Sequence, residues 1–168
     1  GLSALPSDHP LNVGMLGMHG SYAPNVMTQQ ADVIIAIGMR FSDRVTGRLD
    51  TYAKQAKIIH LDIDNVEIDK NVKTDVSVVG DCKMSLPAIT RLLNKNEHTE
   101  WIEGFKPYLQ QETEKVIEPA IHPKEGPLLM GEVVNAVAEA TDGEAVLVND
   151  VGQNQMFSCR YFKYKRKL

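Results

Sequence analysis

The run Ala31-Asp-Val-Ile-Ile-Ala-Ile-Gly38 constrains the fold more than any other stretch of this chain. It is short, almost wholly apolar, rich in β-branched residues and closed by glycine, the pattern of a strand buried on both faces of a parallel sheet. Lys57-Ile-Ile-His-Leu-Asp-Ile-Asp64 repeats the pattern, and Val76-Ser-Val-Val-Gly80 is a shorter third instance. Helix-like or turn-rich stretches separate them. Strands alternating with helices predict an α/β layer fold with right-handed crossovers.

The helical signals complete that alternation. Ser21 to Gln30 reads as a helix opened by Ser21, with Pro24 tolerated in its first turn because the missing N–H costs little there. Asp81 can cap the next helix, whose Met84, Leu86, Ile89, Leu92 and Leu93 suit one apolar face. After the polar span Asn94 to Thr99, Trp101, Ile102, Phe105, Tyr108 and Leu109 again fall at helical spacing, and that helix runs toward Val116. The stretch from Pro119 to Pro127 also holds Pro123 and Gly126, which is linker composition. The sequence therefore divides into residues 1–118, a linker at 119–127, and residues 128–168. In the last region the reading is a helix from Leu128 to Ala140, a turn at Asp142-Gly143, a strand Ala145 to Asn149 and a helix over roughly 153–164. So few elements cannot sustain a core alone, so the chain reads as a fragment that stops early in a second domain.

Composition narrows the class of function. The 168 residues are 43% hydrophobic and 24% charged, sufficient apolar material for a globular domain. A net charge of -4 gives no broad footprint for nucleic acid, although Lys163 to Lys167 is locally basic. Cys82 and Cys159 lie far apart without CxxC spacing, so neither a disulfide framework nor a zinc site is indicated, and a reducing, cytoplasmic setting fits. No uninterrupted apolar run reaches the length of a membrane span.

Three groups of residues point to a nucleotide-like cofactor. Gly14-Met-Leu-Gly-Met-His-Gly20 places three glycines ahead of a helix start, where backbone can approach a bulky ligand and free N–H groups attract a pyrophosphate. The same glycines also suit a purely structural turn, and His19 a hydrogen-bonded turn residue. Gly38-Met-Arg-Phe-Ser-Asp-Arg-Val-Thr-Gly47 leaves the carboxyl end of a strand, the edge where open parallel sheets bind ligands. Arg40 and Arg44 could grip phosphate there with Asp43 as their partner, or form a plain surface pair. Asp62 is placed to accept from ribose hydroxyls, with Glu67 nearby; Asp64 suits a capping role, and Asp81 after Gly80 suits either. His9, His60, His98 and His122 stand in unrelated contexts, and no nucleophile-base pair or metal cluster emerges. A non-catalytic nucleotide-binding module fits these features as well.

At these motifs the chain resembles the large catalytic subunits of the acetolactate synthase (acetohydroxyacid synthase) family, which are thiamine-diphosphate enzymes. LNVGMLGMHGSYAPN, ADVIIAIGMRFSDRVTG, IIHLDIDNVEIDK and VVGD look like their middle domain, in that order. NDVGQNQMFSCRYFKYKR is similar to the opening of their thiamine-diphosphate-binding domain. The resemblance implies a partial three-layer Rossmann-like domain over 1–118 that carries FAD in a structural role, followed from 128 by the first elements of the second α/β domain. Carried across motif by motif, the implied FAD contacts are Gly17, Met18, His19 and Gly20; Gly38, Met39, Arg40, Asp43, Arg44 and Val45; Asp62, Ile63 and Glu67; and Gly80 and Asp81. Val151, Gly152, Gln153 and Asn154 are the implied contacts on the diphosphate side.

The family joins two pyruvates, or pyruvate and 2-oxobutyrate, with loss of carbon dioxide. That implies 2-oxo acid substrates, Mg2+, a homodimer or tetramer, and a small regulatory subunit as a further partner. The family's catalytic glutamate and its magnesium motif fall outside this chain, so no residue here is assigned the carboligation step and the fragment is expected to be inactive. Two departures stand out: Asn154 where the family has His, and Ser42 where RFDDRVTG has Asp. Another thiamine-diphosphate carboligase or a pyruvate oxidase is the nearest alternative. The missing part of the sheet should also leave apolar surface exposed and favour association.

Overall fold

The computed structural model describes residues 2–165, so Arg166 and Lys167 of the basic end lie outside the described residues. The chain divides into two compact units, residues 26–99 and residues 1–25 together with 100–168.

In the unit of residues 26–99, β1 (Val33–Ile37), β2 (Lys57–Asp62) and β3 (Val76–Val79) form a parallel sheet in that order. The register sets Ile37 beside Leu61 and Asp62 beside Val79, so all three strands finish at one edge. Pairing continues one step further: the Gly38 N–H donates to the Leu61 carbonyl at 2.8 Å and the Gly80 N–H to the Asp62 carbonyl at 2.9 Å. Three helices accompany the sheet in sequence: α1 (Tyr22–Thr28), in which the division between the units falls, α2 (Asp43–Thr46) and α3 (Cys82–Thr90). Asp81 caps α3 as its position suggests, its Oδ1 accepting the Lys83 N–H at 2.8 Å. The architecture is α/β.

Ala36, Phe41, Tyr52, Ala53 and Ile58 make the core of this unit, with Ile34, Met39, Ala56 and Val72 packed against it. Phe41 meets Tyr52 and His60 edge-on, at centroid distances of 6.2 and 5.2 Å. Burial on both faces, expected from the apolar runs, holds on one face only. The strand period of two turns Ile34 and Ala36 inward and Val33, Ile35 and Ile37 outward, where they are 44%, 54% and 44% exposed. A parallel strand is sealed on both sides only where helices cover both, and this face of β1 stays open to solvent.

The other unit is helical among its described residues. The expected helix through Trp101 and Leu109 is divided into α4 (Thr99–Glu103) and α5 (Lys106–Glu112), because Gly104 and Pro107 interrupt it. A π-helical stretch, Thr113–Ile117, leads from α5 into α6 (Glu118–Ile121). Pro119, read above as linker, thus sits in a helical first turn, which tolerates proline. α7 (Met130–Ala140) packs against both α6 and α8 (Gln153–Tyr161). The strand expected at 145–149 does not form: a strand needs a ladder partner, and β1 to β3, all in the other unit, are the only strands among the described residues.

Candidate cofactor site

Residues 26–99 gather their chemistry at the carboxyl edge of the sheet. β1 delivers Gly38, Met39 and Arg40, β2 delivers Asp62 and Ile63, and β3 delivers Gly80 and Asp81. Gly38 has φ +60°, a left-handed conformation, with open space where a Cβ would project. Phe41 takes φ +47° although it is not glycine and is only 2% exposed. Its buried ring anchors a strained turn, which holds the exposed Arg40 at the rim. The Arg40 carbonyl in turn accepts from Asn71 Nδ2 at 3.0 Å.

The Asp43-Arg44 pair exists as a long contact, 3.9 Å from Oδ1 to Nε, with both side chains largely exposed. Such a pair adds little stability; Val45, the next residue, is half-buried. Ser42, the departure from the family pattern, is the residue before α2 and makes no side-chain cap bond.

Asp62 is buried at the end of β2, where its Oδ1 accepts the Asp64 N–H at 2.9 Å. Asp64 accepts the Val66 N–H at 2.9 Å, a capping role. Glu67 shares one oxygen with Lys70 Nζ at 2.7 Å, while its Oε2 is buried with no partner. Asp69 accepts from the Thr74 backbone N–H and hydroxyl, at 2.7 and 2.8 Å, and these bonds hold its carboxyl below the usual carboxylate value.

The glycine loop belongs to the other unit. Gly17 has φ +107°, and Asn25 clamps it: Gly17 N–H donates to Asn25 Oδ1, and Asn25 Nδ2 donates back to the Gly17 carbonyl, both at 2.9 Å. Gly20 serves a close approach, since a Cβ there would sit 2.0 Å from the Met15 carbonyl oxygen. The first N–H of α1, expected to be open to an anion, is taken: Tyr22 N–H donates to Glu112 Oε2 at 2.7 Å. Arg160 of α8 lies 3.7 Å from Glu112 and donates to the Gly20 carbonyl at 2.6 Å. Met18 is 63% exposed, while His19 Nδ1 is buried without a partner.

Val151, Gly152, Gln153 and Asn154 are exposed where α8 begins, with Gly152 at φ +97°. Burial pushes the Cys159 thiol up, away from a reactive thiolate. Among the described residues no group of three or more His, Cys, Asp or Glu side chains is placed to hold a metal ion. No helix among them is long and apolar enough to cross a membrane.

Sequence reasoning missed Asn25, Asn71, Glu112 and Arg160. Only Asn25, five residues past Gly20 and near the start of α1, carried a local signal. Glu112 and Arg160 act over 90 and 140 positions, a distance at which sequence spacing is silent. His60, set aside above, proves fully buried two residues before Asp62.

The strand-end edge offers an open glycine, an exposed guanidinium, a buried carboxylate and an orphaned carboxylate oxygen, a donor and acceptor set that suits phosphate and ribose. Residues 1–89 match the family described as thiamine pyrophosphate enzyme, central domain. Acetolactate synthase 1, chloroplastic, of Oryza sativa subsp. japonica is 38% identical over 99% of this chain and 26% of its own length. The probable acetolactate synthase large subunit of Methanocaldococcus jannaschii is 40% identical, covering 98% of this chain and 29% of that protein. The acetolactate synthase large subunit of Lactococcus lactis subsp. lactis is 39% identical over 98% of this chain and 28% of its own. The chain thus spans little more than a quarter of the length of these relatives.

Proposed function

Because the chain belongs to the thiamine pyrophosphate enzyme central-domain family, we propose that it forms the cofactor-carrying middle of an acetolactate synthase catalytic subunit. In this reading residues 1–118 belong to an FAD-binding domain, 119–127 link, and 128–168 open the thiamine-diphosphate domain. The whole enzyme condenses two pyruvates, or pyruvate with 2-oxobutyrate, with release of carbon dioxide. It works in the cytoplasm as a dimer or tetramer with a small regulatory subunit, and its Mg2+ is held by residues outside this chain. Thiamine diphosphate, when bound, supplies the carbanion-stabilising chemistry.

One observation carries the flavin part: three parallel strands end together and present Arg40, Asp62 and Asp81 on a single edge. Arg40 and Arg44 would neutralise phosphate, Gly38 and Gly80 would admit the ligand against backbone, and Asp62 would accept from ribose hydroxyls. Gly17 to Gly20 are the further flavin contacts that the family resemblance implies, and Val151 to Asn154 would face the thiamine diphosphate. Asn154 still donates a hydrogen bond but does not titrate near neutral pH as the family's histidine would.

The test is a titration of the 168-residue chain with FAD, followed by flavin fluorescence and calorimetry. Saturable one-to-one binding that Arg40→Ala weakens by about 10- to 100-fold, the loss of a charge-assisted bond, supports the site. Binding indifferent to Arg40→Ala, or no binding, would remove these residues from the flavin site and leave the family membership intact.

A further inference from the structure

His60 is the most tightly sealed ionisable group of its unit. It is 0% exposed, and neither Nδ1 nor Nε2 has a hydrogen-bond partner. Its ring meets Phe41 edge-on, and its strand neighbours in register are Ala36 and Ser77. A buried polar atom left unpaired is destabilising, a penalty that an apolar residue in the same space would not incur. The strand period of two sets the next residue on this face, Asp62, against it, with Oδ2 3.8 Å from Nε2.

That separation is too long for a hydrogen bond, yet only about 1 Å from one. The two oxygens of Asp62 differ in their duties. Oδ1 is pinned by the Asp64 N–H, whereas Oδ2 has no hydrogen-bond donor and faces His60 Nε2. A second acid of this unit, Asp69, is already engaged with the Thr74 N–H and hydroxyl. Asp62 is therefore the group toward which the imidazole can close.

We infer that His60 is a positioning residue for Asp62: with its proton on Nε2 it donates to Oδ2 and fixes the carboxylate rotamer from beneath when a ligand's hydroxyls engage Asp62 from the solvent side. The inference rests on the reading of Asp62 as a flavin ribose contact. It gives the buried imidazole a role, because closure of the pair on ligand binding satisfies Nε2, one of its two orphaned nitrogens. Hydrogen bonds of this kind are often long in a free site and shorten in the complex.

The experiment is FAD binding to the full chain carrying His60→Leu, His60→Gln, Asp62→Ala, and Asp62→Ala combined with His60→Leu, with circular dichroism confirming the fold of each. His60→Leu should weaken binding roughly three- to tenfold, the loss of one net hydrogen bond. His60→Gln, whose amide nitrogen reaches the Nε2 position, should restore most of it. Adding His60→Leu to Asp62→Ala should change nothing further, since the residue it positions is gone. An equal loss in the Asp62→Ala background, or an equal loss with glutamine, would reduce His60 to packing and overturn the inference. A chain that binds no FAD would defeat the flavin reading separately, and the pair is then decided by the imidazole 15N resonances of His60. A shift of those resonances on Asp62→Ala sustains the coupling; an unchanged spectrum overturns it.

Discussion

Gly20→Ala tests whether the glycine loop is built on close approach. The added Cβ would lie 2.0 Å from the Met15 carbonyl oxygen, 2.7 Å from its carbon and 2.8 Å from the Leu16 carbon. All three are backbone atoms, so no flexible side chain can swing aside. Relief requires the Met15 carbonyl to move by more than about 1 Å from a normal contact distance, and that carbonyl also accepts the Ser21 N–H at 2.7 Å. Overpacking contributes about 1–3 kcal/mol and the weakened hydrogen bond about 0.5–1.5 kcal/mol, against about 0.4–1 kcal/mol regained from a stiffer unfolded chain. The net loss is about 0.5–4 kcal/mol, centred near 2 kcal/mol. Trp101, the only tryptophan, lies in the same unit and reports its urea unfolding, whose midpoint should fall by about 1–2 M. An unchanged midpoint for Gly20→Ala would refute the steric argument.

Three further outcomes follow from the geometry. Glu112→Gln, at a side chain only 7% exposed that accepts the Tyr22 N–H and faces Arg160, should cost about 1–3 kcal/mol in the same unfolding assay, with an unchanged midpoint counting against the cap. Asp69 has a folded pKa held below its unfolded one, so its contribution is fully present above about pH 4 and is lost as pH falls through the lowered value. The stability gap between the wild type and Asp69→Ala should therefore narrow on acidification, and a gap that widens instead would contradict the assignment. Ile35→Lys, on the outward face of β1 where Ile35 is 54% exposed, should reduce self-association in sedimentation velocity without loss of secondary structure; unchanged association would mean that another surface drives it.

Local chemistry was enough to locate much of this molecule. Runs dense in β-branched residues gave Val33–Ile37, Lys57–Asp62 and Val76–Val79 as strands, and Asp81 announced its helix, because side-chain shape and a capping oxygen act on the nearest few residues. The same local signals failed at Ala145 to Asn149, whose strand-like composition has no ladder partner. They failed again at Val33, Ile35 and Ile37, whose apolar character says nothing about whether a helix layer covers them. Partnership and cover are properties of the assembled chain. So is the candidate site: parallel register brings the strand ends that carry Arg40, Asp62 and Asp81 to one edge, with His60 buried two residues before Asp62. Contacts such as Tyr22 to Glu112 and Gly20 to Arg160 exist only once segments 90 and 140 residues apart have met, since hydrogen bonds depend on distance in space and the sequence records only distance along the chain.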